Sequence, residues 1–282
     1  MGRTVRGAHA QRPRPDGAVP PSVTRGLTFL AAAAAPGRWP HIVGHLEQIL
    51  RQDPSVAVAA GSAALTALAE TSLPASVLAS VETCFPEFGQ PDLDAGIATF
   101  TARLVAEHLP HTADPAERGR LHQGLGFRLG RAGRAQEALA ADEEAAALFQ
   151  DLAVTDAVTH ETGLALALNN LGAFSWQLRR LPDAVAAQAR AIEFARRGLA
   201  AGPPAGSLLA RAFVLDESGL AQCLSNLSVL LWASRRREEA VTALEEAVAT
   251  ARQLAAVAPA TQEPVLADIA SRLVTYLGRL QR

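Results

Sequence analysis

What most constrains this chain is a phrase that returns three times in its second half. "LHQGLGFRLGRAGRAQEALAADEEAAALFQDLA" starts at Leu121, "ALNNLGAFSWQLRRLPDAVAAQARAIEFARRGLA" at Ala167, and "CLSNLSVLLWASRRREEAVTALEEAVATARQLA" at Cys223. Without a gap, Leu125, Leu171 and Leu227 coincide, each followed by a small residue: Gly126, Gly172 or Ser228. Thirteen positions after each leucine stands an alanine (Ala138, Ala184, Ala240), and seven further on another (Ala145, Ala191, Ala247). Two antiparallel helices pack tightly only where small residues let their backbones approach, and the next pair needs a small residue at its own contact. The phrase therefore predicts a helical hairpin, repeated.

The interval is uneven. Leu171 follows Leu125 by 46 residues and Leu227 follows Leu171 by 56; 46 beyond Leu227 stands Leu273, in "LADIASRLVTYLGRLQR". A fourth first helix thus closes the chain, and the ten extra residues fall around "AGPPAGS", which predicts a long loop near 202–207.

The pattern resembles the tetratricopeptide repeat, a helix-turn-helix unit of ~34 residues with a Leu-Gly pair on its first helix and two alanines on its second. The resemblance covers residues 118 to about 258 and a final half unit. Its longer spacing, with phrases such as "NNLG" and "RRREEA", is similar to the arrays of actinobacterial regulatory proteins. The resemblance implies that residues two before and two, five and six after each marker leucine face a concave groove that holds another protein or a peptide. Those residues are Gln123, Phe127, Gly130 and Arg131; Asn169, Ala173, Trp176 and Gln177; Ser225, Val229, Trp232 and Ala233. Trp176 and Trp232 are equivalent, and two readings stay open for them: anchors on a groove floor, or core between repeats.

"HQGLGFRLGRAGRAQEAL" could be taken for a phosphate cradle. A dinucleotide fingerprint needs GxGxxG at a strand-to-helix turn, whereas Gly124, Gly126, Gly130 and Gly133 follow no strand and a helix runs through them. Gly126 reads as the packing glycine and Gly133 as the interhelix turn, matching Arg179 and Arg235. Gly124 and Gly130 have no counterparts and are expected only to weaken their helix, by up to ~1 kcal/mol each.

Arg134, Arg180 and Arg236 occupy one equivalent position at that turn. They either offset the dipole of the preceding helix or form a basic ridge for an acidic partner.

The first half carries no such repeat. Residues 1–22 are rich in Arg and Pro and poor in bulky apolar residues, which predicts a disordered lead-in. Residues 23–112 read as an irregular helical region: "HIVGHLEQIL" and "IATFTARLVAEHL" have helical periodicity, and Pro40, Pro54, Pro74, Pro86, Pro91, Pro110 and Pro115 mark boundaries. Helices of roughly 12–20 residues should result. Residues 113–282 are then the repeat array of about three and a half units. The fold class is all-α, a helical-hairpin solenoid with an irregular N-terminal part.

Composition removes whole classes of function. All 26 basic residues are Arg, so the lysine of a P-loop, a protein kinase or a Schiff-base enzyme is absent. Cys84 and Cys223 stand far apart, without CxxC spacing, which argues against a zinc site or a disulfide framework and suits a reducing cytoplasm. Paired histidines (His41 and His45; His108, His111 and His122) lack the Cys or Glu that metal sites require, and no GxSxG is present. Net charge is −2, giving no field that attracts nucleic acid or anionic lipid. "LTFLAAAAA" at 27–35 is too short to span a bilayer and lacks the cleavage site of a secretory signal. No cofactor, metal or catalytic residue is expected, and oligomeric state is not encoded in any recognisable feature. The chain reads as a non-catalytic protein- or peptide-binding scaffold. The alternatives are a peptide- or ligand-sensing regulatory module of a larger signalling system, and an enzyme in the N-terminal half, for which no residue constellation exists.

Overall fold

The computed structural model describes residues 21–34, 40–86, 90–201 and 217–280. Of the Arg/Pro-rich lead-in expected over residues 1–22, residues 1–20 lie outside them, as does the loop expected at 202–207, whereas Pro21 and Ser22 already belong to the first helix. Where described, the chain is helical, and its contacts divide it into two units, residues 1–100 and 101–282.

The first unit holds α1 (Pro21–Ala33), α2 (Pro40–Gln52), α3 (Ser55–Ala59), α4 (Ser62–Ala69), α5 (Ala75–Glu82) and the start of α6 (Pro91–His108). Three of these are shorter than the periodicity suggests, because breakers crowd them: Pro54 precedes α3, Pro74 precedes α5, and Gly61 joins α3 to α4 at φ +91°, a conformation open to glycine. Leu46, Leu50, Leu65, Leu68, Leu78, Ile97 and Phe100 are fully buried. Phe85 meets Phe100 edge to face, with centroids 5.5 Å apart. The apolar run from Leu27 is part of this core, with Leu27, Ala31 and Ala34 buried. α6 approaches α4 at Gly96, where a Cβ would lie 2.4 Å from the Ser62 carbonyl oxygen. Among the described residues, no helix is long and apolar enough to cross a membrane.

The second unit carries, after a 3-10 turn at Leu109–His111, α7 (Pro115–Arg131), α8 (Ala135–Thr155), α9 (Ala157–Gln177), α10 (Leu181–Ala201), α11 (Glu217–Ala233), α12 (Arg237–Val257) and α13 (Pro259–Leu280). The hairpins α7–α8, α9–α10 and α11–α12 are the three sequence units, and α13 is the closing first helix. Asp114 caps α7 by accepting from the Ala116 N–H at 3.0 Å, with Pro115 at the first helical position.

Each hairpin turns in the same way. Gly133, Arg179 and Arg235 adopt left-handed φ of 75°, 62° and 62°. The next N–H in each case (Arg134, Arg180, Arg236) reaches back to the carbonyl of Leu129, Ser175 or Leu231 at 2.8–2.9 Å. This is the Schellman closure, which satisfies carbonyls that the helix end leaves open. Gly133 is thus the turn glycine that the register predicts, and arginine takes the same strained conformation twice.

The six repeat alanines, Ala138, Ala145, Ala184, Ala191, Ala240 and Ala247, are all completely buried. A Cβ on Gly126 would lie 3.3 Å from the Ala138 carbonyl oxygen, and one on Gly172 equally close to that of Ala184. Small residue thus meets alanine inside each of these hairpins. Ser228, also fully buried, turns its hydroxyl onto its own helix at the Ser225 carbonyl, 2.6 Å away. The marker leucines Leu125, Leu171 and Leu227 are half-buried. Ala145 packs with Phe149 of its own helix and with Leu164, Ala167 and Leu168 of the following first helix, so the second alanine joins successive units.

The expectation for Gly130 is corrected by this packing. A Cβ there would lie 2.2 Å from the Phe174 ring of α9, so Gly130 is a notch that admits the ring, while Gly124 faces open space.

Candidate functional site

Numbering each side chain from its marker leucine shows what the first helices present to one another. The residue five after the marker in one helix meets the residue three after it in the next. Gly130 receives Phe174, Trp176 faces Leu230 across a cavity, and Trp232 stacks on Tyr276 with centroids 4.1 Å apart and rings 20° from parallel.

Sizes at these two positions decide whether the seam is open. Phe174 is buried and fills the notch over Gly130. Tyr276 is buried beneath the Trp232 indole, over which the Arg237 guanidinium lies 5.7 Å from the ring centre. Between α9 and α11, Leu230 is too short to close the gap, and a cavity of about 230 Å³ remains, lined by Gly172, Ala173, Trp176, Gln177, Gln188, Asn226, Val229 and Leu230. The two readings of the tryptophans therefore divide between them: Trp232 is packing between first helices, and Trp176 is a wall of an open site.

The position two before the marker is also corrected. Gln123 and Ser225 are 3% and 1% exposed, so they do not line a groove. Gln123 Nε2 donates to the Gly163 carbonyl of α9 at 2.6 Å, and Ser225 Oγ accepts from Arg272 of α13 at 3.1 Å. Asn169, half-buried, accepts at Oδ1 from Gln188 Nε2 (2.9 Å), Asn226 Nδ2 (3.3 Å) and the Cys223 thiol (3.3 Å). These amides and hydroxyls fix the first helices to each other because a buried polar group is costly unless it is bonded. Of the remaining residues that the register places on the groove, Phe127, Arg131, Ala173 and Gln177 are exposed and Val229 is half-buried. Arg128 and Arg131 stack on the Phe127 ring at 5.8 and 5.9 Å.

Beneath the seams lies the residue seventeen after each marker: Asp142, Gln188 or Leu244, all buried. Asp142 Oδ1 accepts from Asn170 Nδ2 at 3.2 Å, and Oδ2 has no hydrogen-bond partner. Burial pushes this carboxyl up to about 8, against a smaller opposing pull from Asn170. The Cys223 thiol is likewise pushed up by burial, to about 12. Cys223 is a core residue and no nucleophile.

Two of the arginines at the turn are engaged locally. Arg134 and Arg236 each form a forked pair with the glutamate three residues on, Glu137 or Glu239, at 2.7 and 2.5 Å. These hydrogen bonds raise both guanidinium groups and hold both carboxyls low. Arg180 has Asp183 at the same spacing and is exposed. Among the described residues, no group of His, Cys, Asp and Glu is placed to hold a metal.

Residues 164–205 and 220–255, which span α9–α10 and α11–α12, match a family model of the tetratricopeptide repeat. These two hairpins are thus similar to tetratricopeptide repeats. Two solved structures are also similar. A putative kinesin light chain from Podosopora anserina with nearly identical tetratricopeptide-like repeats is 15% identical, with a TM-score of 0.43 over 82% of this chain and 95% of that one. The TPR2AB domain of yeast Sti1 in its pHSP90 complex is 12% identical, with a TM-score of 0.25 over 81% of this chain and 99% of that one. No curated protein matches the chain by sequence.

Reading tetratricopeptide positions by register found Trp176, Ala173, Gln177 and Val229, and missed Gln188, Asn226 and Leu230 of the same cavity. A signal was present: the residue three after the marker runs Phe174, Leu230, Tyr276. Only the middle one is not aromatic.

Proposed function

We propose that the protein is a non-catalytic scaffold that holds another protein or a peptide segment on the first-helix face of its tetratricopeptide-type repeats, with Trp176 as the anchor. The observation that carries this reading is the cavity between α9 and α11, with one tryptophan wall, at the one seam of the three where neither a ring in a notch nor an aromatic stack closes the gap. Aromatic side chains lining a partly desolvated pocket supply much of the energy at protein interfaces. The exposed Phe127 and Gln177 extend the surface to either side. Of the turn arginines, Arg134 and Arg236 already pair with Glu137 and Glu239. A reducing cytoplasm suits the two free cysteines, Cys84 and Cys223.

Leu230→Tyr tests the proposal, because it should seat a ring against Trp176 as Tyr276 is seated against Trp232. Tagged wild-type and variant protein, matched in thermal melting, would be used to capture partners from lysate of the source cells. We expect the wild type to retain a protein that the variant loses. Identical capture by both would remove the cavity from the binding surface.

A further inference from the structure

The walls of the α9–α11 cavity restrict what can enter. None of its eight lining residues is ionisable. A charge entering it would lose hydration and meet no counter-charge, which costs several kcal/mol in surroundings of low polarity. Ala173, Trp176, Val229 and Leu230 form the apolar part.

One buried polar group of the floor, Gln188, is fixed as an acceptor. Gln188 has two amide hydrogens, and its Nε2 donates to Asn169 Oδ1 at 2.9 Å and to the Cys223 carbonyl at 3.1 Å. Both hydrogens are therefore committed. What Gln188 presents is its Oε1, which lies on the Gly172 side, 2.7 Å from where a Cβ would stand. Asn226 sends its own nitrogen to Asn169 Oδ1 and receives Gln222 Nε2 at 2.9 Å. An acceptor on the cavity floor welcomes an N–H and repels a carboxylate.

Size and setting limit the ligand further. A volume of about 230 Å³ falls below the ~300–1,000 Å³ of sites that enclose small molecules. It holds one side chain. At the neighbouring seams Phe174 and Tyr276 already occupy the corresponding space, so no equivalent anchor point follows one repeat away.

We infer that the partner is held by a short segment that buries one uncharged apolar side chain against Trp176 and presents a main-chain N–H, not a carboxylate, to Gln188. The inference rests on the proposed binding role of this face and names what that face selects. A partner running through the whole array with one anchor per repeat is a different ligand, and the filled flanking seams do not accommodate it.

The test is selection of a phage-displayed random dodecapeptide library on the full-length protein. Individual peptides are then measured by fluorescence polarisation against wild type, Trp176→Ala and Leu230→Tyr, with circular dichroism melts to show that each variant is folded. Should either variant fail to fold, the other carries the comparison, and competition between selected peptides shows whether they share one site. We expect selected peptides to share a single apolar residue without an adjacent Asp or Glu, and to bind Leu230→Tyr at least tenfold more weakly than wild type. Peptides that lose affinity on Leu230→Tyr but share a carboxylate, or require two apolar residues a repeat length apart, would overturn the inference and leave the binding role standing. Peptides that bind the variants as tightly as wild type, or a selection that yields none, would overturn both.

Discussion

The seam between α7 and α9 and the seam between α9 and α11 are built on one register and differ first in the pair of residues that face each other across them. In the first, Gly130 faces Phe174 and the ring fills the space; in the second, Trp176 faces Leu230 and a cavity is left. The hairpins on either side turn alike and bury their alanines alike. A repeat therefore fixes where backbones run, and a size match at one pair of positions decides which seam can take a ligand. The floor differs as well, with Asp142 under the closed seam and Gln188 under the open one.

The floor gives the largest expected effect. Asp142 is buried with one oxygen unpartnered, and its carboxyl titrates near 8 in the folded protein against about 3.9 in an unfolded chain. The folded state thus favours the protonated acid. The Asp142 contribution to stability should be greatest below about pH 4, fall by up to ~1.4 kcal/mol per pH unit as the unfolded chain ionises and the folded one does not, and level off above about pH 8. Over that window the loss is on the order of a few kcal/mol. Asp142→Asn should flatten the profile and stabilise the protein at pH 8, as read by urea titrations at pH 5, 6.5 and 8. A profile equally steep in the variant would place the pH dependence elsewhere and erase this difference between the two floors.

Steric tests of the closed seam come next. Gly130→Leu collides with Phe174, and Gly126→Leu collides with Asp142, where a Cβ alone would lie 2.1 Å from Oδ2. Each should cost about 3 kcal/mol, the upper part of the range for overpacked interiors. Gly124→Ala, in open space, should be neutral or stabilising by up to ~1 kcal/mol. If Gly130→Leu melts with wild type, the notch is not what seats Phe174 and the seams are not distinguished by size.

The array was legible in the sequence because its register is set by backbone approach, which only small residues permit. Gly126, Gly172 and the six alanines announce it in any alignment of the three units. The N-terminal helices were legible as helices, but their lengths were not, since a periodicity of 3.6 says nothing about where Gly61 or Pro54 will stop a rod. The site was half legible. Trp176 and Trp232 are equivalent by position and are read apart only once Leu230 and Tyr276 are set opposite them, a pairing between helices 54 and 44 residues distant. Gln123 and Ser225 show the same limit, because polarity predicts exposure until a bonded partner such as the Gly163 carbonyl is found.

The two tryptophans supply the next contrast. Trp232→Ala removes a stack on Tyr276 and should cost about 3 kcal/mol, at the low end for aromatic truncation because the indole is half-buried. Trp176→Ala should cost about 1 kcal/mol, since one of its faces borders a cavity already empty of side chains. Thermal melts of the pair check this. Equal losses would mean that the α9–α11 seam is packed as firmly as the α11–α13 seam.

The smallest effect concerns what the seams share. Arg179 and Arg235 hold φ of 62° where the first hairpin has Gly133 at 75°, and a left-handed residue with a Cβ is disfavoured by roughly 1–2 kcal/mol. Glycine removes that strain and adds entropy to the unfolded chain, so Arg179→Gly and Arg235→Gly should each stabilise by about 0.5 kcal/mol. Gly133→Ala should destabilise by about 1 kcal/mol for the converse reason. None of these exchanges touches a seam, and Arg179 and Arg235 are exposed. Peptide affinity at the Trp176 cavity should therefore stay constant while stability moves in both directions. An affinity that tracks stability across the three variants would mean that the hairpin turns set the width of the α9–α11 seam, and that its openness is not a matter of Leu230 alone.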